Sequence, residues 1–253
     1  MQLDEDWEFN VLGLYNYNKP GKLSSYFKYI IENHDYIEGD IVEAGVFKGR
    51  TLISTGLLLK EIGSDKQVYG YESFMGLKPV EHKNDSLSKF DELLKKGRIS
   101  KEHYSKIQRN IEFRSRSVNI APLSGNNISL SGDFSETSLD EIKNKLEFLG
   151  LDNVHIVEGL FQETMIEGQE KPKKIMAASL DCDYYMSYKT ALPFIYNRMS
   201  KGGYIHLDEY YSLKFPGARI ATYEFCKDIK DKPQFHQIEK GLFERWYLKK
   251  LFN

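Results

Sequence analysis

The 253-residue sequence has two cysteines, Cys182 and Cys226, too few for a disulfide framework. That points to a reducing compartment, here the cytoplasm. It has no apolar run near the roughly 20 residues of a membrane-spanning helix, so no membrane partner is expected. The first residues, Met1-Gln-Leu-Asp-Glu-Asp, are acidic where a secretion signal would be basic and then apolar. An excess of one charge is missing too: 35 Lys and Arg against 37 Asp and Glu leave a net charge of −2. That excludes a nucleic-acid coat protein, and no nucleic-acid partner is expected. There is no Gly-x-x-x-x-Gly-Lys-Ser/Thr loop, no Gly-x-Ser-x-Gly elbow and no His-Glu-x-x-His pair. P-loop, serine-hydrolase and zincin chemistry therefore have no support.

What is present is ordinary globular composition, 41% hydrophobic and 28% charged, with an aromatic surplus of 17 Tyr and 15 Phe. Short apolar runs alternate with helical stretches, which predicts βαβ units and a mostly parallel sheet, the α/β class. Residues 1–38 read as a helical lead-in. Asp40-Ile-Val-Glu-Ala-Gly reads as a strand entering a glycine turn, Thr51 to Ile62 as a buried helix, and Gln67-Val-Tyr-Gly-Tyr-Glu as a second strand. Ser138-Leu-Asp-Glu is a capping box that opens a helix stopped by Gly150. Strands follow at Val154-His-Ile-Val-Glu, at Lys174 to Asp181, and at Gly202 to Glu209. The helices between them span about Ser187 to Met199 and Ala218 to Asp228, and two strands of a hairpin lie in Gln234 to Phe252. The rhythm breaks over residues 78–126. Between Lys78 and Arg116 eleven Lys and Arg face six Asp and Glu, which reads as a basic helical or loop insertion that could act as a lid. The chain is expected to be a single domain carrying this insertion.

Three constellations carry chemistry. Glu43-Ala-Gly45-Val-Phe-Lys-Gly49-Arg-Thr51 lies between a strand and a helix, where glycines let the backbone approach a ligand. It lacks the third glycine of the dinucleotide fingerprint. It suits the amino-acid end of S-adenosylmethionine, whose ammonium a carboxylate can meet, and it equally suits a plain tight turn. Glu72 ends the next strand, where an acid can accept ribose hydroxyls or simply be solvated. Asp181-Cys-Asp183 and Asp208-Glu209 both end apolar strands. If those strands are neighbours, their carboxylates converge and call for a hard divalent cation such as Mg²⁺.

Taken in order, six motifs resemble the macrocin O-methyltransferase (TylF-like) family. They are the Gly39 to Gly49 run, Tyr71-Glu-Ser-Phe-Met-Gly-Leu, Glu158-Gly-Leu-Phe-Gln-Glu-Thr, Leu180-Asp-Cys-Asp-Tyr-Tyr, Gly202 to Tyr210, and Gly217-Ala-Arg. The resemblance implies a Rossmann-like class I methyltransferase fold: a mostly parallel seven-stranded sheet, helices on both faces and an antiparallel edge hairpin. It implies an S-adenosylmethionine- and Mg²⁺-dependent O-methyltransferase acting on a hydroxyl of a sugar or of a glycosylated or nucleotide-linked small molecule. Glu43, Gly45, Phe47, Gly49 and Thr51 would hold the methionine end, Glu72 and Ser73 the ribose, and Phe161 and Gln162 the adenine. Asp181, Asp208 and Glu209 would bind the metal, with Asp181 catalytic through it, and Asp183 would be the general base. The ribose acid is Glu where the family has Asp, and the metal pair is Asp-Glu where Asp-Asp is common. A phosphorylated or catechol-like acceptor, a non-catalytic donor-binding module, an anionic acceptor drawn by the basic insertion, and a homo-oligomer all remain open at this point. The aromatics near these positions predict a cleft walled by rings.

Overall fold

A computed structural model of the chain describes residues 3–19, 21–79, 82–118, 122–236 and 243–252. Parts of the 78–126 insertion and of the 234–252 tail therefore lie outside the described residues.

The lead-in forms two helices, α1 (Asp6–Val11) and α2 (Ser24–Asn33). Then come β1 (Asp40–Ala44), α3 (Arg50–Glu61) and β2 (Val68–Glu72). The insertion folds as α4 (Lys89–Lys95) and α5 (Lys101–Val118). After it run α6 (Leu139–Leu149), β3 (Val154–Glu158), α7 (Phe161–Thr164), β4 (Ile175–Leu180), α8 (Tyr185–Arg198), β5 (Met199–Leu207), α9 (Pro216–Phe225), β6 (Gln234–His236) and β7 (Arg245–Lys249). The N-cap half of the expected capping box is present, with the Ser138 hydroxyl accepting from the Glu141 N–H, and Gly150 is left-handed at the helix end. Pro193 sits inside α8, which runs through it. No helix among the described residues is long and apolar enough to cross a membrane.

The seven strands are ordered β3-β2-β1-β4-β5-β7-β6. β1 to β5 are mutually parallel, and β7 runs antiparallel to both β5 and β6. This is the expected α/β sheet with its antiparallel edge. Strand alternation splits the core into two layers. Ile41, Val68, Ala177 and Tyr204 pack toward α1, α2, α3 and α6. Val42, Tyr69, Ala178 and Ile205 pack toward α8 and α9. The insertion has a small core of its own, Phe90, Leu93, Ile99 and Ile107, with Leu213 and Ile220 against it. It is therefore a helical layer docked beside α9.

Candidate active site

The chain winds outward from β1 through β2 to β3, then crosses back to β4 and β5. The switch point lies between β1 and β4, where ligands bind at the carboxyl ends of strands in such sheets. A cavity of about 1120 Å³ opens there. Glu43, Gly45, Phe47, Thr51, Glu72, Ser73, Phe161, Gln162, Asp181, Asp183, Asp208 and Glu209 all line it. Gly49 is the exception among the expected residues. At φ +76 it starts α3, and its α-carbon faces Ile53 and Ile142, so it shapes the turn from behind.

The turn after β1 is dictated by close backbone approach. A side chain at Gly45, φ +88, would place its Cβ 1.9 Å from the Asp181 carbonyl oxygen, so only glycine lets β1 and β4 end together here. Glu43 points to the α2/α3 side, buried, with its Oε2 lacking any hydrogen-bond partner. Burial pushes its carboxyl well above the usual range, and the neighbouring Asp181 adds to the shift. An orphan buried carboxylate in a cavity wall is suited to a cationic ligand group. Glu72 is fully engaged. Its Oε2 accepts the Val46 and Phe47 N–H groups at 3.0 and 3.1 Å. Its Oε1 accepts the Ser73 and Phe74 N–H groups at 2.8 and 3.1 Å and the Ser73 hydroxyl at 3.3 Å. The longer acid thus ties the two loops of the cavity floor together.

The convergence of acids follows from register. Leu180 pairs with Leu207, so Asp181 and Asp208, one residue on, leave the sheet side by side. Carboxylate oxygens of Asp181, Asp208 and Glu209 lie within 4.8 Å of one another. Asp208 Oδ1 is buried and receives no directed hydrogen bond. The all-oxygen donor set and this orphan atom fit a hard divalent ion, and the extra methylene of Glu209 does not keep it out of the group. Tyr188 fixes Glu209 by donating its hydroxyl to Oε2 at 2.6 Å. Burial, with Asp181 and Asp183 adjacent, raises the Glu209 carboxyl. Burial opposes ionisation of Asp208 as well, but Lys22, His206 and Arg245 outweigh it and hold that carboxyl low. Lys22 was not foreseen: its Nζ is 3.2 Å from Asp208 and 3.6 Å from Asp181.

Asp183 is buried at φ +59, a left-handed conformation uncommon for a residue with a side chain. The Tyr184 N–H donates to the Cys182 carbonyl at 2.7 Å, closing a tight turn around it. Burial and then Asp181 raise its carboxyl, against Lys214 and Lys22. His206 is a packed strand residue, buried 3.5 Å from Asp208.

Three segments wall the cavity. From the lead-in come Lys22 and Tyr15, the latter carrying the Arg50 guanidinium 4.0 Å over its ring. From the insertion come Asp85 and Arg114, and Lys78 at its edge. The Arg114 guanidinium donates to the carbonyls of Asn127, Ile128 and Ser129 at 3.3, 2.7 and 3.0 Å, so its charge serves the loop. Lys78 and Arg114 are the insertion's basic residues that reach the cavity among the described residues. The third wall, residues 127–137, lies past the expected edge of the insertion. Phe134 meets the Phe47 ring edge-on at 5.2 Å, and Thr137 donates to the Phe47 carbonyl at 2.5 Å. Of the aromatics in or beside the six motifs, Phe47, Phe161, Tyr184 and Tyr211 line the cavity, whereas Phe74 and Tyr185 pack against the core. Tyr71 is core, and Tyr210 packs against Trp246.

No curated protein matches the sequence. Among solved structures, the O-methyltransferase NovP superposes with a TM-score of 0.63 at 19% identity, over 91% of this chain and 80% of that one. CalS11, a calicheamicin methyltransferase, gives 0.58 at 17%, over 97% and 80%. An O-methyltransferase from Bacillus cereus in complex with SAH gives 0.53 at 12%, over 99% and 93%. These likenesses show a shared fold, that of class I methyltransferases. A model of the family described as Macrocin-O-methyltransferase (TylF) matches residues 21–122 and 124–243. The chain belongs to that family and is an S-adenosylmethionine-dependent O-methyltransferase.

Proposed function

We propose that the acceptor is a hydroxyl of a sugar or glycosylated natural product, and that the reaction is assisted by a divalent ion, Mg²⁺. The observation that carries this is the carboxylate trio in a cavity whose wall also presents the orphan carboxylate of Glu43. Glu43 would take the ammonium of the donor and Gly45 would let its methionine end lie against the turn. Phe47 and Thr51 would flank that end. Glu72, held rigid by backbone N–H groups, would face the ribose beside Ser73. Phe161 and Gln162 would cover the adenine.

Asp181, Asp208 and Glu209 would hold the ion, which when bound supplies Lewis-acid polarisation of the acceptor hydroxyl. Asp183 would accept the hydroxyl proton. Its burial and its acidic neighbour favour the protonated form, which makes it a better base than an exposed carboxylate. The rigid turn around Asp183 fixes where that proton goes, and the ring-lined walls hold the acceptor in line with the donor methyl group. Lys78 and Lys214 line the cavity and would favour an anionic acceptor such as a nucleotide-linked sugar. We further read residues 1–253 as one domain, with the lead-in and the 78–126 insertion choosing the acceptor.

The test is release of S-adenosylhomocysteine across a panel of neutral and nucleotide-linked sugars. Turnover is expected with Mg²⁺, and loss of it in excess EDTA and in Asp181→Ala. Full turnover in either condition removes the metal role. Affinity that falls with added salt supports the anionic acceptor, and affinity independent of salt rejects it.

A further inference from the structure

Lys22 belongs to the turn before α2, far in sequence from the acids it meets. Its Nζ donates to Asp208 Oδ2 at 3.2 Å, lies 3.2 Å from Asp208 Oδ1, and lies 3.6 Å from Asp181 Oδ2. Both acids belong to the carboxylate trio whose oxygens lie within 4.8 Å of one another. The half-buried ammonium is thus set against two of the three groups that would hold a divalent ion. Leu23, the next residue, is core, and further upstream Tyr15 is tied to α3 by its N–H to the Ser54 hydroxyl at 2.9 Å.

We propose that Lys22 is an internal competitor cation: it neutralises Asp181 and Asp208 and must be displaced for a divalent ion to bind. The reasoning is electrostatic. Converging carboxylates are costly without a counter-charge. An ammonium and a divalent ion repel when both press on the same oxygens, and screening is weak in a partly buried site. The ion therefore binds against Lys22, and ion binding is coupled to the position of the lead-in turn. This rests on the metal reading above.

The test is Mn²⁺ binding, measured by electron paramagnetic resonance on the full chain without donor or acceptor. Circular dichroism checks the fold of Lys22→Met. Lys22→Met is expected to bind Mn²⁺ at least tenfold more tightly than the wild type, and tight binding by the variant where the wild type binds none supports the proposal equally. Equal or weaker binding by a folded variant overturns the role of Lys22 and leaves the metal site standing. No binding by either chain overturns both. Should Lys22→Met fail to fold, acetic anhydride labelling of the wild type, read by mass spectrometry, decides. Mn²⁺ should raise the labelling of Lys22 several-fold relative to exposed Lys28, and unchanged or reduced labelling overturns the proposal.

Discussion

The Asp85 carboxylate accepts the backbone N–H of Tyr185 at 2.8 Å, across 100 residues of sequence. Tyr185 is the first residue of α8, whose N-cap, Tyr184, offers no side-chain hydrogen bond. Asp85 thus supplies from the insertion the acceptor that the helix lacks, at the positive end of its dipole. The same carboxylate lies against Gly217 in the first turn of α9. One acid therefore joins the insertion to both helices that follow the acidic strand ends.

This contact has a pH signature. Burial pushes the Asp85 carboxyl up to about 6, although the Tyr185 N–H pulls it down. The folded chain then holds the proton more tightly than the unfolded chain, whose aspartate titrates near ~4. The protonated residue's contribution to stability is full below ~4 and is lost as pH rises through about 6. Urea unfolding from pH 4 to pH 8 should show wild type losing stability relative to Asp85→Asn across that window. Parallel curves would refute the assignment.

Gly217→Ala should disrupt the same junction. The added Cβ would stand 1.9 Å from Asp85 Oδ1 and 2.8 Å from the Tyr185 Cβ. Overpacking of this kind costs ~1–3 kcal/mol, so the thermal midpoint should fall by several degrees. An unchanged midpoint would show that the insertion yields freely.

Glu43→Gln should separate binding from folding. It removes a buried carboxylate that burial already disfavours, so the donor-free protein should be as stable as the wild type or more so at pH 8. Calorimetry should show S-adenosylmethionine affinity lowered at least tenfold, the loss of one charge-assisted contact. Unchanged affinity would remove Glu43 from the donor site.

Asp183→Asn should keep the turn, because Asn tolerates the left-handed conformation that Asp183 holds. Turnover should drop ~10²–10⁴-fold, the range for a lost general base, with donor affinity unchanged. Turnover near the wild-type rate would exclude Asp183 as the base.

Much of this was legible before the fold was known. Apolar strands ended by acids, glycine turns and a capping box are local signals, and each named its element. The meeting of Asp181 with Asp208 needed one further fact, that β4 and β5 are neighbours, which their register supplies. Lys22 and Phe134 were not legible. They reach the site through tertiary packing of the lead-in and of residues 127–137, and nothing in their local sequence marks them. Part of the insertion's basic content serves local contacts that its sequence does not mark: Lys89 pairs with Glu92, Lys106 lies 3.0 Å from Glu102, and Arg98 stacks 3.4 Å over Tyr223. The aromatic surplus is shared: Phe47, Phe161, Tyr184 and Tyr211 wall the cavity, while Tyr26, Tyr71 and Tyr188 are core.

The most direct test is a crystal structure with S-adenosylhomocysteine and Mn²⁺, read by anomalous scattering. The account predicts one manganese peak ligated by Asp181, Asp208 and Glu209, with the amino group of the bound nucleoside at Glu43. No peak at saturating Mn²⁺, a peak held by other residues, or a nucleoside placed away from Glu43 would contradict it.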